Sequence, residues 1–128
     1  MTEHFSLTAP SIRLAGIVKG PAKEIPLRLL LDTGAVRTIL TWETAVGCGY
    51  DPAVASKRIP IVTASGYETC PEIILSQITF LQRRLHNIPV LCHPLPAELR
   101  VDGIVGLDFF RGTKLTIDFR TGEVSLDV

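Results

Sequence analysis

The chain has 128 residues, 46% of them hydrophobic and 20% charged, with thirteen basic side chains against thirteen acidic ones. That balance predicts a folded core and excludes a disordered segment, and zero net charge leaves no electrostatic footprint for nucleic acid or an anionic membrane surface. The length fits one domain over residues 1–128, and the apolar stretches are strand-length, too short for a transmembrane helix.

Met1-Thr2-Glu3-His4-Phe5 has no basic segment leading into an apolar one, so no secretory signal is expected. Cys48, Cys70 and Cys92 are an odd, sparse set that suits free thiols in a reducing compartment, hence a cytoplasmic protein. Cys92-His93, with His86 nearby, carries metal-ligating residue types. No Cys-x-x-Cys or His-x-x-x-His spacing frames them, and a buried thiol beside a surface histidine is the better reading.

Met1 to Pro10 has no clear period and reads as an arm or short edge strand. Ser11 to Lys19 alternates Ile12, Leu14, Gly16 and Val18 with the residues between them, the pattern of a strand. Gly20-Pro21 marks a turn, and Glu24 to Leu31 forms a second strand. Thr38-Ile39-Leu40 is β-prone. Thr41 to Val46 reads as a short helix capped by Thr41 and closed by Gly47 or Gly49, with Trp42 and Val46 facing inward.

Arg58 to Val62 and Glu68 to Glu72 are extended segments joined through Thr63-Ala64-Ser65-Gly66-Tyr67, whose small residues and glycine predict a hairpin tip. Ile73 to Phe80 continues as a long strand, Gln82-Arg83-Arg84 makes a solvated charged turn, and Leu85 to Leu91 returns. After a proline-containing loop, Asp102-Gly103 reads as a turn, Ile104-Val105 as a short buried strand and Leu107 to Arg111 as a helical turn ended by Gly112. Leu115 to Phe119 and Val124 to Val128 then form a last hairpin about Arg120-Thr121-Gly122-Glu123. The sum is an all-β domain with one or two short helices.

The chemistry concentrates at Leu29-Leu30-Leu31-Asp32-Thr33-Gly34-Ala35. An apolar strand delivers a carboxylate to its C-terminal end, Gly34 lets the backbone turn and approach a substrate, and Thr33 can brace the loop. A carboxylate held rigidly in partly apolar surroundings is suited to general acid–base work. Taken alone, Asp-Thr-Gly is equally an ordinary turn.

Three features in order resemble the retropepsin-like (retroviral-type) aspartic proteases. They are the apolar-Asp32-Thr33-Gly34-Ala35 loop, the hairpin at Ala64-Ser65-Gly66-Tyr67, and Ile104-Val105-Gly106-Leu107-Asp108-Phe109-Phe110. The resemblance implies a single-lobe, closed β-barrel with the Ile104-Val105-Gly106 segment lying across the active-site loop. It further implies that Asp32 is catalytic, that Thr33 interlocks with its mate in a second lobe, and that the hairpin is a flap closing over a polypeptide substrate. Val36 and Arg37 stand where viral members carry acidic residues, so the likeness is nearer to cellular, especially bacterial, relatives.

Aspartic-protease chemistry needs two carboxylates sharing one proton and no metal or organic cofactor. Asp102 and Asp108 lack the apolar-Asp-Thr/Ser-Gly setting and read as a turn former and a helix-start or surface acid. The second carboxylate is therefore expected from another copy across a two-fold axis, making a homodimeric endopeptidase. Two other readings stand beside it: a catalytically silent module of the same fold for dimerisation or peptide binding, and a domain of a longer protein.

Overall fold

The computed structural model describes residues 2–128, with Thr63 described through its backbone alone. Strands β1 (Thr2–His4), β2 (Arg13–Lys19), β3 (Glu24–Leu31) and β4 (Ile39–Leu40) precede helix α1 (Trp42–Cys48). Then come β5 (Lys57–Thr63), β6 (Gly66–Phe80), β7 (Arg83–Cys92), β8 (Gly103–Val105), the single-turn α2 (Leu107–Phe110), β9 (Lys114–Asp118) and β10 (Glu123–Asp127).

The larger sheet runs β2-β3-β8-β4-β7-β6-β5, and β2 pairs again with β6, from Gly16 opposite Phe80 to Lys19 opposite Gln77. That second pairing closes six strands into a barrel, the expected fold class, and leaves β5 as the outer arm of a hairpin with β6. Closure depends on Gly16: a Cβ there would meet the Leu29 side chain at 2.5 Å and the Thr79 carbonyl at 3.1 Å. Inside lie Leu14, Val18, Leu29, Leu75, Ile78 and Phe80; β2 keeps the predicted period of two, while on β6 the buried phase shifts by one residue between Leu75 and Ile78. Phe109 fills the end of this core edge-to-face on Phe80, at 5.8 Å between ring centres.

β1, β10 and β9 form a separate three-stranded sheet with β10 in the middle. The N-terminal arm thus includes an edge strand on the final hairpin, and Phe5 packs edge-to-face with Phe119 at 5.9 Å. Met1 lies outside the described residues.

Three details differ from the sequence reading. Helix α1 is capped by Thr41, whose hydroxyl accepts from the Thr44 N–H, and ends at Gly49 with φ of 106°. Its buried face is Thr44, Ala45 and Cys48, so Trp42 packs only partly against the core and Val46 points outward. Over seven residues several faces fit the same apolar positions, and docking chooses among them. Arg83 is half-buried rather than free in solvent: its guanidinium donates to the Phe109 carbonyl at 2.5 Å and lies over that ring at 5.6 Å from its centre. The turn before it is Leu81-Gln82, both in the left-handed region, a two-residue hairpin matched to strand twist. Lastly, Asp102 is a staple rather than a turn former. Its carboxylate accepts from the Arg28 N–H at 2.9 Å, and its N–H donates to the Arg28 carbonyl at 2.8 Å.

Candidate active site

Asp32 stands one residue beyond β3, between β2 and β8. Leu31 donates its N–H to the Ile12 carbonyl at 2.9 Å, and Asp32 donates its own to the Val105 carbonyl at 3.1 Å, so the acid is pinned from both sides. The loop then closes on itself. The Asp32 carboxylate accepts from the Gly34 N–H at 2.9 Å, and the Ala35 N–H reaches the Asp32 carbonyl at 3.1 Å. Asp32 is half-buried while Thr33 and Gly34 are exposed. A carboxyl group oriented by backbone donors and open on one side can accept a proton from water without moving the chain that holds it.

The predicted supporting residues meet this loop from below. Ile104 lies opposite Leu30 and Val105 opposite Leu31 in the parallel β3–β8 pairing. Ala35 accepts from the Leu107 N–H at 2.8 Å. Gly106 is pressed so close that a Cβ would stand 2.6 Å from the Ala35 carbonyl and 2.8 Å from that of Arg37. Only a residue without a side chain allows β8 and α2 to lie across the loop.

One pair that sequence reasoning misjudged secures this crossing. Asp108 is neither a free surface acid nor simply a helix starter. Its carboxylate accepts from the Thr38 N–H at 2.9 Å and the Thr38 hydroxyl at 2.7 Å. Thr38 is fully buried, and its oxygen also accepts from the Gly106 N–H at 3.2 Å. These residues lie 70 apart in sequence, and the signal that could have found them was a buried-strand threonine in need of a partner.

Arg37 extends the same network. It donates to Glu72 on β6 at 2.6 Å, approaches Asp108 at 3.7 Å, and shares Glu72 with Lys57 at 3.6 Å. The Glu72 side chain is only 7% exposed. The Arg37 hydrogen bond lowers its pKa below the ordinary 4.5, outweighing the burial that would raise it. Its ionised form therefore contributes stability above the unfolded-state value, and the contribution is lost as pH falls through the lowered one. We expect Glu72→Gln to be about 1–2 kcal/mol less stable than wild type at pH 7. The gap should narrow in melts taken at successively lower pH below 4.5. A gap that widens in acid contradicts this assignment.

The hairpin predicted to cover the site is present with a tighter tip. Thr63 pairs with Gly66, leaving Ala64-Ser65 as a two-residue turn, and Gly66 opens β6 with φ of 118°. Ala64, Ser65, Gly66 and Tyr67 are all exposed, Tyr67 by 83%, so its ring does not pack on the barrel. Below the tip lies an open cleft of about 630 Å³ between the Gly34–Arg37 loop and Ile59, Pro60, Ile61 and Val62 of β5, floored by Ile39 and Leu91. Sequence reasoning assigned the cover to the tip and missed this wall. The strand beneath the tip, together with Val36, Arg37, Ile39 and Leu91, lines the cleft.

The thiols are free and buried. Burial, with Cys70 beside it, pushes the Cys92 thiol up to about 11, far from a reactive thiolate. His93 donates neither to a thiol nor to Asp32: its ring contacts Glu68 at 2.9 Å and the Pro94 carbonyl at 2.7 Å. His86 lies across from Gln77 on the β6–β7 ladder. No helix among the described residues is long and apolar enough to cross a membrane.

A barrel carrying an Asp-Thr-Gly loop under a hairpin defines the single-lobe aspartic-protease class. The family model described as "gag-polyprotein putative aspartyl protease" matches residues 18–112, and the chain belongs to that retropepsin-like family. In fold it is similar to the crystal structure of a retropepsin-like aspartic protease from Rickettsia conorii. That likeness has a TM-score of 0.73 and 17% identity, over 99% of this chain and 91% of that one. It is also similar to EIAV protease complexed with the inhibitor HBY-793, with a TM-score of 0.56 and 20% identity, over 86% of this chain and 96% of that one. No curated protein sequence matches the chain.

Proposed function

We propose that residues 1–128 form one protease domain that acts as a homodimeric aspartic endopeptidase, with Asp32 from each copy making the catalytic pair. The observation that carries this reading is the Asp32 loop itself: a half-buried carboxylate whose strand end is pinned by the Leu31 bond to Ile12 and the Asp32 bond to Val105, followed by Gly34–Arg37, which border an open cleft. The remaining candidate acids are committed elsewhere, Asp102 to the Arg28 N–H and Asp108 to Thr38. A second copy is the source of the missing partner. In this reading Thr33, which is exposed, braces the second copy's loop across the axis.

Two carboxylates at such an axis hold one proton between them, because like charges that close do not both ionise. The ionised one takes a proton from water as the water oxygen bonds to the amide carbon. The protonated one gives its proton to the carbonyl oxygen. Collapse of the tetrahedral intermediate breaks the C–N bond: the amine nitrogen leaves with a proton from the pair, one hydroxyl of the diol returns a proton to that pair, and the products are a carboxylic acid and an amine.

Activity measured against protein concentration, with sedimentation on the same samples, tests the assembly. Specific activity should fall on dilution through the dimer dissociation constant. A fully active monomer sinks the proposal. The hairpin supplies a second test. A Cβ at Gly66 meets nothing within 4 Å, but φ of 118° is strained for any L side chain. Gly66→Val should therefore distort the tip locally, lowering turnover several-fold while Tm and dimerisation hold. Unchanged cleavage, or an unfolded variant, would show that the hairpin is not a mobile cover.

A further inference from the structure

Among the described residues, one buried side-chain polar atom has no hydrogen-bond partner: Nε of Arg13. A buried donor without an acceptor costs on the order of 1–3 kcal/mol and calls for an explanation. Arg13 lines an open cleft of about 320 Å³ together with Pro10, Ser11, Glu98, Leu99 and Arg100. Two guanidinium groups against one carboxylate leave this cleft with net positive charge. Arg100 is held in it by a left-handed backbone, φ of 52°, at the end of the Ala97–Leu99 turn.

The position of this cleft in the fold gives it a use. Its first wall leads into β2, where Arg13 sits opposite Leu30 and the neighbouring Ile12 carbonyl holds the Leu31 N–H. Its second wall leads into β8, whose Ile104 also sits opposite Leu30. Arg13 thus sits beside the end of β3 that carries Asp32, while the second wall leaves β8 at Gly103, opposite Leu29, toward the start of β3. Adjacent strands lie about 4.8 Å apart and each residue advances about 3.3 Å, which places the Arg13 backbone roughly 8–10 Å from that of Asp32. An extended peptide covers that span in about three residues.

Building on the protease reading, we infer that this cleft is a substrate subsite in which Arg13, assisted by Arg100, binds the carboxylate of an acidic residue within about three positions of the scissile bond. Nε itself is covered, so an Asp or Glu side chain meets the terminal nitrogens of the guanidinium, whose fork geometry matches a carboxylate with two parallel bonds. The cleft on the other side of the loop, lined by Val36, Ile39, Ile59, Ile61, Val62 and Leu91, takes apolar side chains. Because the second copy repeats both clefts across the axis, the substrate class is an extended polypeptide that carries apolar side chains and an acid within about three positions of the cleavage point, on either side of it.

The test uses matched peptides differing only by Glu or Gln at each position flanking a cleavable bond. Cleavage by the wild-type chain is read as kcat/KM, and binding to Asp32→Asn is read by fluorescence anisotropy. At one position, or at the two positions that the dimer axis relates, Glu should be favoured over Gln by about tenfold, the scale of a charge-assisted hydrogen bond. Arg13→Met should bring that ratio close to one, and Arg13→Glu should turn it toward Lys. Should Arg13→Met fail to fold, Arg100→Met serves, with a smaller loss of the ratio. A wild-type chain that cleaves without acid preference overturns the inference and leaves the protease reading standing. If nothing is cleaved, the protease reading falls, and the anisotropy ratio still judges the subsite. Loss of dimer in Arg13→Met with the Glu/Gln ratio intact would assign Arg13 to an ion pair with a second copy, and the inference would be wrong.

Discussion

Asp32→Asn is expected to lower turnover by at least about 10³-fold, the usual reach of a positioned acid–base group, with the fold unchanged. The asparagine side-chain oxygen can still accept the Gly34 N–H that Asp32 takes at 2.9 Å, and the backbone bonds to Val105 and Ala35 involve no side chain. Thermal stability should therefore stay within about 0.5 kcal/mol of wild type. The variant also probes the assembly. Added in equal amount to a fixed concentration of wild type and allowed to exchange, it should capture partners and leave about half the activity. Wild-type turnover in the purified variant would exclude Asp32 as the catalytic group. Absence of interference in the mixture would exclude a shared site.

The second large effect lies away from the reacting atoms. Asp108→Ala removes the acceptor of both the Thr38 N–H and the Thr38 hydroxyl, and Thr38 has no access to water that could replace it. Stranding those donors should cost about 2–4 kcal/mol, or roughly 8–15 °C in Tm for a chain of this size. Turnover should fall even well below the melting temperature, because Thr38 also holds Gly106 and so keeps β8 and α2 across the Asp32 loop. Thr38→Val keeps the shape but removes the hydroxyl, and should lose about half as much stability. Calorimetry with an activity assay on the same samples measures both. A Tm within about 2 °C of wild type for Asp108→Ala would mean that the loop is held by its backbone bonds alone.

The strands around the site were legible because their information is local. Leu14, Gly16 and Val18 alternate with exposed neighbours, and Leu29-Leu30-Leu31 form an apolar run fit for a strand flanked on both sides. Asp32-Thr33-Gly34 stands at the end of that run as a contiguous loop motif. What escaped were the partners of single polar side chains. Arg83 beside Gln82 looks solvated until the hairpin carries it onto Phe109. Asp102 beside Gly103 looks like a turn until β3 and β8 are paired and it meets the Arg28 N–H. Asp108 needs Thr38, and Arg37 needs Glu72, 35 residues away.

The sequence by itself therefore determined the strand type of the barrel and the position of Asp32 at a strand end. Each follows from alternation, residue size or backbone freedom within a few neighbouring positions. Only the tertiary structure decided which way Val46 points, that Ile59–Val62 wall the cleft beside the Gly34–Arg37 loop, and that Arg13 on β2 is left with an unpartnered Nε. The physical reason is register. Alternation says which residues share a face, while the strand that lies alongside, and the offset at which it pairs, follow from barrel closure across the whole chain.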